Sequence, residues 1–132
     1  MLFTRECDYG LRIMRNLNTE TPVSVSVISE REKISLAMGY KVARKLELAG
    51  LICSVRGHTG GYKLTNGLDK VTTYDVYCAI ESHVIINECL TPGVDCPLNE
   101  DNSCFMHREL ARIQGVLIQE LKRYSLEELA NM

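Results

Sequence analysis

The stretch from residue 35 to residue 64 constrains the fold of this chain more than any other part of the sequence. Ser35 is a typical helix N-cap, and Gly50 stands where a glycine ends a helix in the left-handed conformation. Gly39 inside that helix costs about 1 kcal/mol relative to alanine. The pattern predicts a helix from about Leu36 to Ala49, a strand over 51–55, a glycine-rich turn over 56–61 and a return strand over 62–64.

The segment before this stretch predicts further helical structure. Tyr9, Ile13 and Leu17 recur every four residues, which indicates a helix over 5–17. Residues 23–27 alternate valine and serine as a strand would, yet Ser24 also suits the N-cap of a short helix. The sequence leaves these two interpretations open.

The segment after the hairpin predicts two more helices and a long loop. Thr72 with Asp75 resembles a capping box, which begins a helix that reaches about Ser82. Residues 87–103 have loop composition, and a structureless loop of this length in a compact domain is usually functional. A longer helix is predicted over about 105–124, and a last short helix begins at Ser125. The long helix has an apolar stripe made of Leu110, Ile113, Leu117, Leu121 and Tyr124, with Val116 beside it.

The order of these elements predicts the fold class and the oligomeric state. Helix, short helix, helix and hairpin in succession form a winged helix-turn-helix. The apolar stripe of the long helix needs a partner, and a second copy of the chain is one. We therefore expect a mostly α-helical homodimer with a small β-hairpin. Residues 1–66 would form the winged DNA-binding region, while residues 67–132 would hold a ligand-binding loop (87–107) and a dimerisation helix (about 105–124).

Composition excludes several classes of protein. The chain has 132 residues with 45% apolar content, which is enough for one small folded domain. No apolar run approaches the roughly 18–20 residues of a membrane span, so we expect a cytoplasmic protein without membrane contact. There is no Ser-His-Asp set, and the glycine-rich turn lacks the ending of a phosphate-binding loop. An enzyme is therefore not expected.

Charge is distributed unevenly along the chain. The net charge is −2, but residues 31–63 carry seven basic and two acidic groups, whereas residues 67–132 carry five basic and eleven acidic groups. Because DNA phosphates are neutralised by local clusters of cations, the basic stretch favours binding to double-stranded DNA, and a homodimer would bind a palindromic operator. The predicted interface comprises Ser35, Tyr40, Lys41, Arg44 and Lys45 on the helix, and Arg56, Gly57, His58, Thr59 and Gly60 on the hairpin.

Three of the six cysteines fall in or beside the long loop. Cys89, Cys96 and Cys104 have the spacing C-x6-C-x7-C, and His107 follows three residues after the last of them. Soft thiolates together with an imidazole suit either an iron–sulfur cluster or zinc. The residues alone do not separate the two. Cys7 and two others, Cys53 and Cys78, lie in predicted helices or strands, where they are expected to be small buried apolar residues.

Six segments of the chain carry the pattern of a known family: residues 4–12, 34–52, 54–57, 60–64, 73–81 and 125–129. Together they resemble the Rrf2 family of bacterial regulators, in particular its iron–sulfur (IscR- and NsrR-like) members. The resemblance spans nearly the whole chain and implies a homodimeric winged-helix transcription regulator.

The same resemblance implies which residues would hold a cluster. By position, Cys89, Cys96 and Cys104 correspond to the cysteines that bind iron in this family. The fourth ligand is a histidine in members with a 2Fe–2S cluster, which His107 matches. In members with a 4Fe–4S cluster it is an aspartate of the first helix from the other subunit, which Asp8 matches.

These observations lead to one main hypothesis and two alternatives. The main one is a DNA-binding regulator whose DNA affinity is controlled by an iron–sulfur cluster that senses cluster status, redox state or nitric oxide. The first alternative is a regulator of the same fold that binds zinc or senses redox through bare thiols. The second is a small electron-transfer protein that carries a cluster.

Overall fold

The computed structural model describes all 132 residues, and its order of elements is the one that the sequence predicts. No helix in it is long and apolar enough to cross a bilayer. The elements are α1 (Arg5–Arg15), α2 (Val25–Glu32), α3 (Leu36–Leu48), β1 (Ile52–Val55), β2 (Gly61–Leu64), α4 (Thr73–Glu81), α5 (Phe105–Leu121) and α6 (Leu126–Ala130). The fold class, mostly helical with one antiparallel hairpin, is confirmed.

The open choice at residues 23–27 resolves in favour of a helix. The Ser24 hydroxyl accepts a hydrogen bond from the Val27 amide and caps α2 at its start. Only Val23 behaves as strand, because it exchanges two backbone hydrogen bonds of 2.9 Å with Tyr62 of the hairpin. The alternation of valine and serine therefore gives one bridging residue followed by a capped helix.

Helix α3 has the predicted caps at both ends. The Ser35 hydroxyl accepts from the Met38 amide, and Gly50 has φ +79°. The Leu51 amide donates to the Leu46 carbonyl over 3.0 Å, which completes a Schellman end. Gly39 has a packing reason, since a Cβ there would lie 2.5 Å from the Ser29 hydroxyl of α2. The close approach of α2 and α3 thus offsets the low helix propensity of this glycine.

Two predicted helix ends are wrong by a few residues. Helix α1 stops at Arg15 instead of Leu17, because the Asn16 side chain donates to the Arg12 carbonyl and also to the buried Glu32 carboxylate. Helix α5 stops at Leu121 instead of residue 124. There the chain turns so that the next segment reaches back to the start of α4 in an antiparallel bridge.

One continuous apolar core holds the winged region and α4 together. Ile13 and Met14 of α1, Leu46 of α3 and Val76 of α4 are almost completely buried in it. The core thus crosses residue 66, and the proposed division there stays a prediction about function. The capping box expected at Thr72 is present, and the last helix, α6, begins with a second capping box at Ser125. The 87–103 segment is mostly irregular, with short 3-10 turns at Glu88–Leu90 and Pro97–Asn99.

Candidate DNA-binding surface and cysteine loop

Helix α3 presents part of its predicted interface directly to solvent. Ser35 lies exposed at its first turn, the Tyr40 side chain is about half exposed, and the Arg44 guanidinium is largely exposed. The opposite face of the helix, with Val42 and Leu46, is fully buried. The helix therefore has the orientation that a recognition helix requires, with the predicted DNA-contacting face outward.

Two of the predicted DNA-contacting lysines are already ion-paired within the chain. The Glu6 carboxylate on α1 accepts from Lys41 over 2.5 Å and from Lys45 over 2.7 Å. Lys41 and Lys45 both hold the pKa of Glu6 below its ordinary value. The Lys45 ammonium also donates to the Ile80 carbonyl. Lys41 is about half exposed, whereas Lys45 is tied to the body of the protein.

The hairpin carries the predicted wing tip. Arg56, Gly57, His58 and Thr59 are exposed, and Gly60 is partly buried where the tip returns to β2. Gly57 has φ +116°, a conformation that favours glycine over other residues. The tip is therefore free of contacts that would prevent it from lying along a DNA backbone.

Helix α3 and the wing are linked by a carboxylate that sequence reasoning missed. Glu47 near the end of α3 accepts from the Ser54 hydroxyl over 3.0 Å and from the Tyr62 hydroxyl over 3.3 Å. These bonds fix the hairpin relative to the recognition helix. No local signal identifies Glu47 or Glu6, because their partners lie up to 39 residues away along the chain.

The cysteine loop forms an open cleft of about 510 Å³ at the start of α5. Three of the predicted ligands, Cys89, Cys96 and His107, line it. The Nδ1 atom of His107 is buried and has no hydrogen-bond partner. A buried imidazole nitrogen without a partner is unfavourable in an apolar or dry setting, so it suits a role as a ligand or a donor to a bound group. The donor set therefore fits an iron–sulfur cluster or zinc.

The structure places the other two predicted ligands outside this cleft. Cys104 is the N-cap residue of α5, and its amide donates to the Asn99 side chain. Asp8 on α1 forms a 2.8 Å ion pair with Arg12. No three histidine, cysteine or acidic side chains of the single chain converge in metal-binding geometry. Complete ligation would thus require the loop to close around the group, and for Asp8 it would require a second subunit.

The remaining cysteines occupy the scaffold. Cys7 is buried in the core as predicted, and burial raises the pKa of its thiol. Cys53 and Cys78 are only partly buried, on β1 and α4. Their expected full burial is therefore wrong. Cys53 alternates outward from the buried Ile52 along the strand, so the pleat of the hairpin exposes it.

Comparisons with known proteins agree with the fold. Residues 3–132 match the Rrf2 family, which is described as an iron-dependent transcriptional regulator. The regulator IscR of Vibrio vulnificus is 32% identical over 98% of this chain and 77% of its own length. Protein aau3 of Rhizobium meliloti is 27% identical over 98% of this chain and 84% of its own.

Solved structures give the same result. CymR, the global cysteine regulator of B. subtilis, superimposes with a TM-score of 0.76 at 26% identity, covering 99% of this chain and 97% of its own. IscR of T. potens superimposes with a TM-score of 0.73 at 22% identity over 99% of this chain and 87% of its own, which shows the shared fold. The matched family, IscR of Vibrio vulnificus and CymR of B. subtilis are all described as regulators, so the expectation that the chain is not an enzyme is confirmed. The chain belongs to the Rrf2 family of transcription regulators.

Proposed function

We propose that the protein is a homodimeric repressor or activator of transcription whose affinity for a palindromic operator is set by an iron–sulfur cluster. The observation that carries this proposal is the combination of an exposed cationic helix and wing with a cleft lined by Cys89, Cys96 and His107. Such a regulator would act in the bacterial cytoplasm, where the chromosome lies.

DNA binding would use the two ends of the winged region. The first turns of α3 would enter the major groove, and Arg44 would contact a base edge or a phosphate beside it. Arg56 on the exposed wing would reach the minor groove, whose negative potential attracts a guanidinium. The bonds from Glu47 to Ser54 and Tyr62 would keep these two contacts at a fixed spacing.

Dimerisation would use α5. Met106, Ile113 and Val116 are exposed apolar residues on one face of this helix, whereas Leu117 and Leu121 pack against the core of their own chain. The apolar stripe predicted from the sequence is thus divided between two partners. A second copy of α5 is the partner that we propose for the exposed part.

The cluster would be held by the cysteine loop. Cys89, Cys96 and Cys104 would supply three thiolates, and His107 or Asp8 of a second subunit would supply the fourth ligand. When bound, the cluster supplies an iron centre that reacts with oxidants and nitric oxide. The loop residues would hold it beside the start of α5, while the Gln114 side chain, which accepts from the Ile86 amide over 3.1 Å, fixes the entry to the loop.

A thiol-based sensor is the second candidate. It is favoured by the similarity to CymR, the global cysteine regulator of B. subtilis, and by Cys89 and Cys96 lining the same cleft. In that case the loop would bind zinc, or its cysteines would remain free thiols. The same donor residues serve both candidates, so the metal content distinguishes them.

The decisive experiment combines metal analysis with DNA binding. The full chain would first be purified in the absence of oxygen. Its content of iron, acid-labile sulfide and zinc would then be measured per chain. An operator would be selected from a randomised duplex library. We expect nearly equal iron and sulfide, and an operator affinity that changes about tenfold or more when a chelator removes the cluster. Equal affinity in the two states contradicts cluster control. Zinc or bare thiols without sulfide, with affinity that depends on oxidant, supports the thiol-based candidate.

Replacing Glu6 with glutamine is expected to tighten DNA binding. The substitution releases Lys41, which can then neutralise one more phosphate, because Glu6 no longer competes for its ammonium. The plot of log affinity against log salt should become steeper by about one unit, since each neutralised phosphate contributes a slope of about −0.9. Fluorescence anisotropy over a series of salt concentrations measures both quantities.

Glu20→Gln is the matched control. It removes the same charge from an exposed position in the loop before α2. If the Glu20 and Glu6 variants show equal changes in salt slope, general charge and not the release of Lys41 explains the result.

A further inference from the structure

The first turn of α3 exposes apolar side chains where a recognition helix would normally carry polar ones. Leu36 is 48% exposed and Tyr40 54% exposed, and Ala37 between them is exposed as well. Positions 36, 37 and 40 lie on neighbouring parts of one helix face, since residues one and four apart differ by 100° and 40° around the axis. The three form a continuous apolar patch, which we call the α3 apolar patch.

Neither the core of the chain nor the proposed dimer face accounts for this patch. Leu36, Ala37 and Tyr40 are absent from the core and from the apolar residues packed against it. The exposed apolar residues of α5 belong to a different helix that begins at Phe105. The patch therefore needs another partner.

Charge around the patch indicates what that partner is. Arg31 in the last turn of α2 and Lys33 at its C-cap are both exposed just before α3 along the chain, and the Arg44 side chain one turn beyond Tyr40 is 67% exposed. Cations that surround an apolar patch at the start of a helix complement the major groove, which has phosphates at its edges and base edges at its floor.

The chemistry of the patch restricts what it can recognise in that groove. Bidentate hydrogen bonds to guanine or adenine need arginine, lysine, asparagine or glutamine, and residues 36–40 contain none of these. The Ser35 hydroxyl accepts a hydrogen bond from the Met38 amide as the helix cap, and a single hydroxyl cannot form a bidentate pair with a base. The one apolar group that the major groove exposes is the 5-methyl group of thymine.

We propose that Leu36, Ala37 and Tyr40 recognise thymine methyl groups, so that the operator has thymines at the positions that the first turn of α3 contacts. This inference rests on the proposed function and adds to it the base that these residues select. Sequence preference at these positions would come from apolar contact, while Arg44 and Arg56 would supply phosphate or other base contacts.

The test replaces thymine with deoxyuridine, which lacks only the methyl group. Each thymine of one half-site of the selected operator would be replaced in turn, and affinity would be measured by fluorescence anisotropy with the intact dimer. We expect at least one replacement to weaken binding about fourfold, the factor expected for loss of one buried methyl-sized apolar group. With the Leu36→Ala variant, the same replacement should change affinity by less than about twofold if Leu36 contacts that methyl group.

Leu48→Ala provides the matched control. Leu48 is also an exposed apolar residue of α3, 73% exposed, but it lies at the far end of the helix. This variant should keep the full sensitivity to deoxyuridine.

Two results overturn the inference and differ in what else they overturn. If the protein selects an operator but no deoxyuridine replacement weakens binding, thymine recognition is wrong and the proposed function stands. If no duplex is selected at all, the proposed function fails, and the inference fails with it. Sensitivity that is equal in the wild-type protein and in Leu36→Ala assigns the methyl contact to another residue and contradicts the role of Leu36.

Discussion

Replacing Cys96 with alanine is expected to lower iron and acid-labile sulfide per chain by more than about tenfold in protein purified without oxygen. Cys96 lines the cleft together with Cys89 and His107, and alanine offers no donor atom in its place. Thiolates are the ligands that iron–sulfur clusters require, so the loss of one of three leaves an incomplete site. Iron and sulfide assays with a visible absorption spectrum measure the outcome.

The control is Cys53→Ala. Cys53 lies on β1, partly buried and away from the cleft, so this variant loses a thiol without losing a predicted ligand. It should keep the iron and sulfide of the wild-type protein. If Cys96→Ala retains the same metal content as Cys53→Ala, the loop does not hold the cluster.

Two further variants distinguish the fourth ligand. His107→Ala should lower the cluster content if the buried, unpartnered Nδ1 marks a ligand within the chain. Asp8→Ala should lower it only if a carboxylate from a second subunit completes the site, since Asp8 lies on α1 in an ion pair with Arg12. Comparing the two variants therefore identifies the fourth ligand. If that ligand is Asp8, the cluster is linked directly to α1 of the DNA-binding region.

The elements of the fold could be predicted from the sequence because their signals are local. Ser35, Gly50 and Thr72 act within four residues of their own positions, and each cap lies where it was expected. Residues 23–27 could not be assigned, because the outcome depends on the pairing of Val23 with Tyr62, 39 residues further along the chain. Local propensity favours both outcomes there, and the tertiary contact selects one.

The candidate site was predictable in composition but not in geometry. The spacing of Cys89, Cys96 and His107 pointed to one loop, and these three do line one cleft. The pairing of Lys45 with Glu6 depends on packing between distant segments, whereas the place of Cys104 outside the cleft depends on how the loop folds before α5. Charge patterning along the chain cannot show that a basic residue is already neutralised, so it overstated the free charge of α3.

Replacing Val116 with aspartate is expected to convert the proposed dimer into monomer. Val116 is 53% exposed and Ile113 41% exposed on the same face of α5, and neither belongs to the core or to the partly buried apolar residues packed against it. In a two-fold dimer the substitution occurs in both copies, and each would place an unpaired carboxylate in an apolar interface. The dimer dissociation constant should rise about a hundredfold or more.

Sedimentation velocity and light scattering over a range of concentrations measure this change. Ala111→Asp is the matched control, because the substitution introduces the same charge at an exposed position of α5. Ala111 lies about 160° around the helix from Ile113. This control should remain dimeric.

Because one subunit can contact only one half-site, Val116→Asp should also lose most of its affinity for a palindromic operator while its binding to nonspecific DNA changes little. A dimeric Val116→Asp protein would show that the exposed face of α5 is not the interface between subunits.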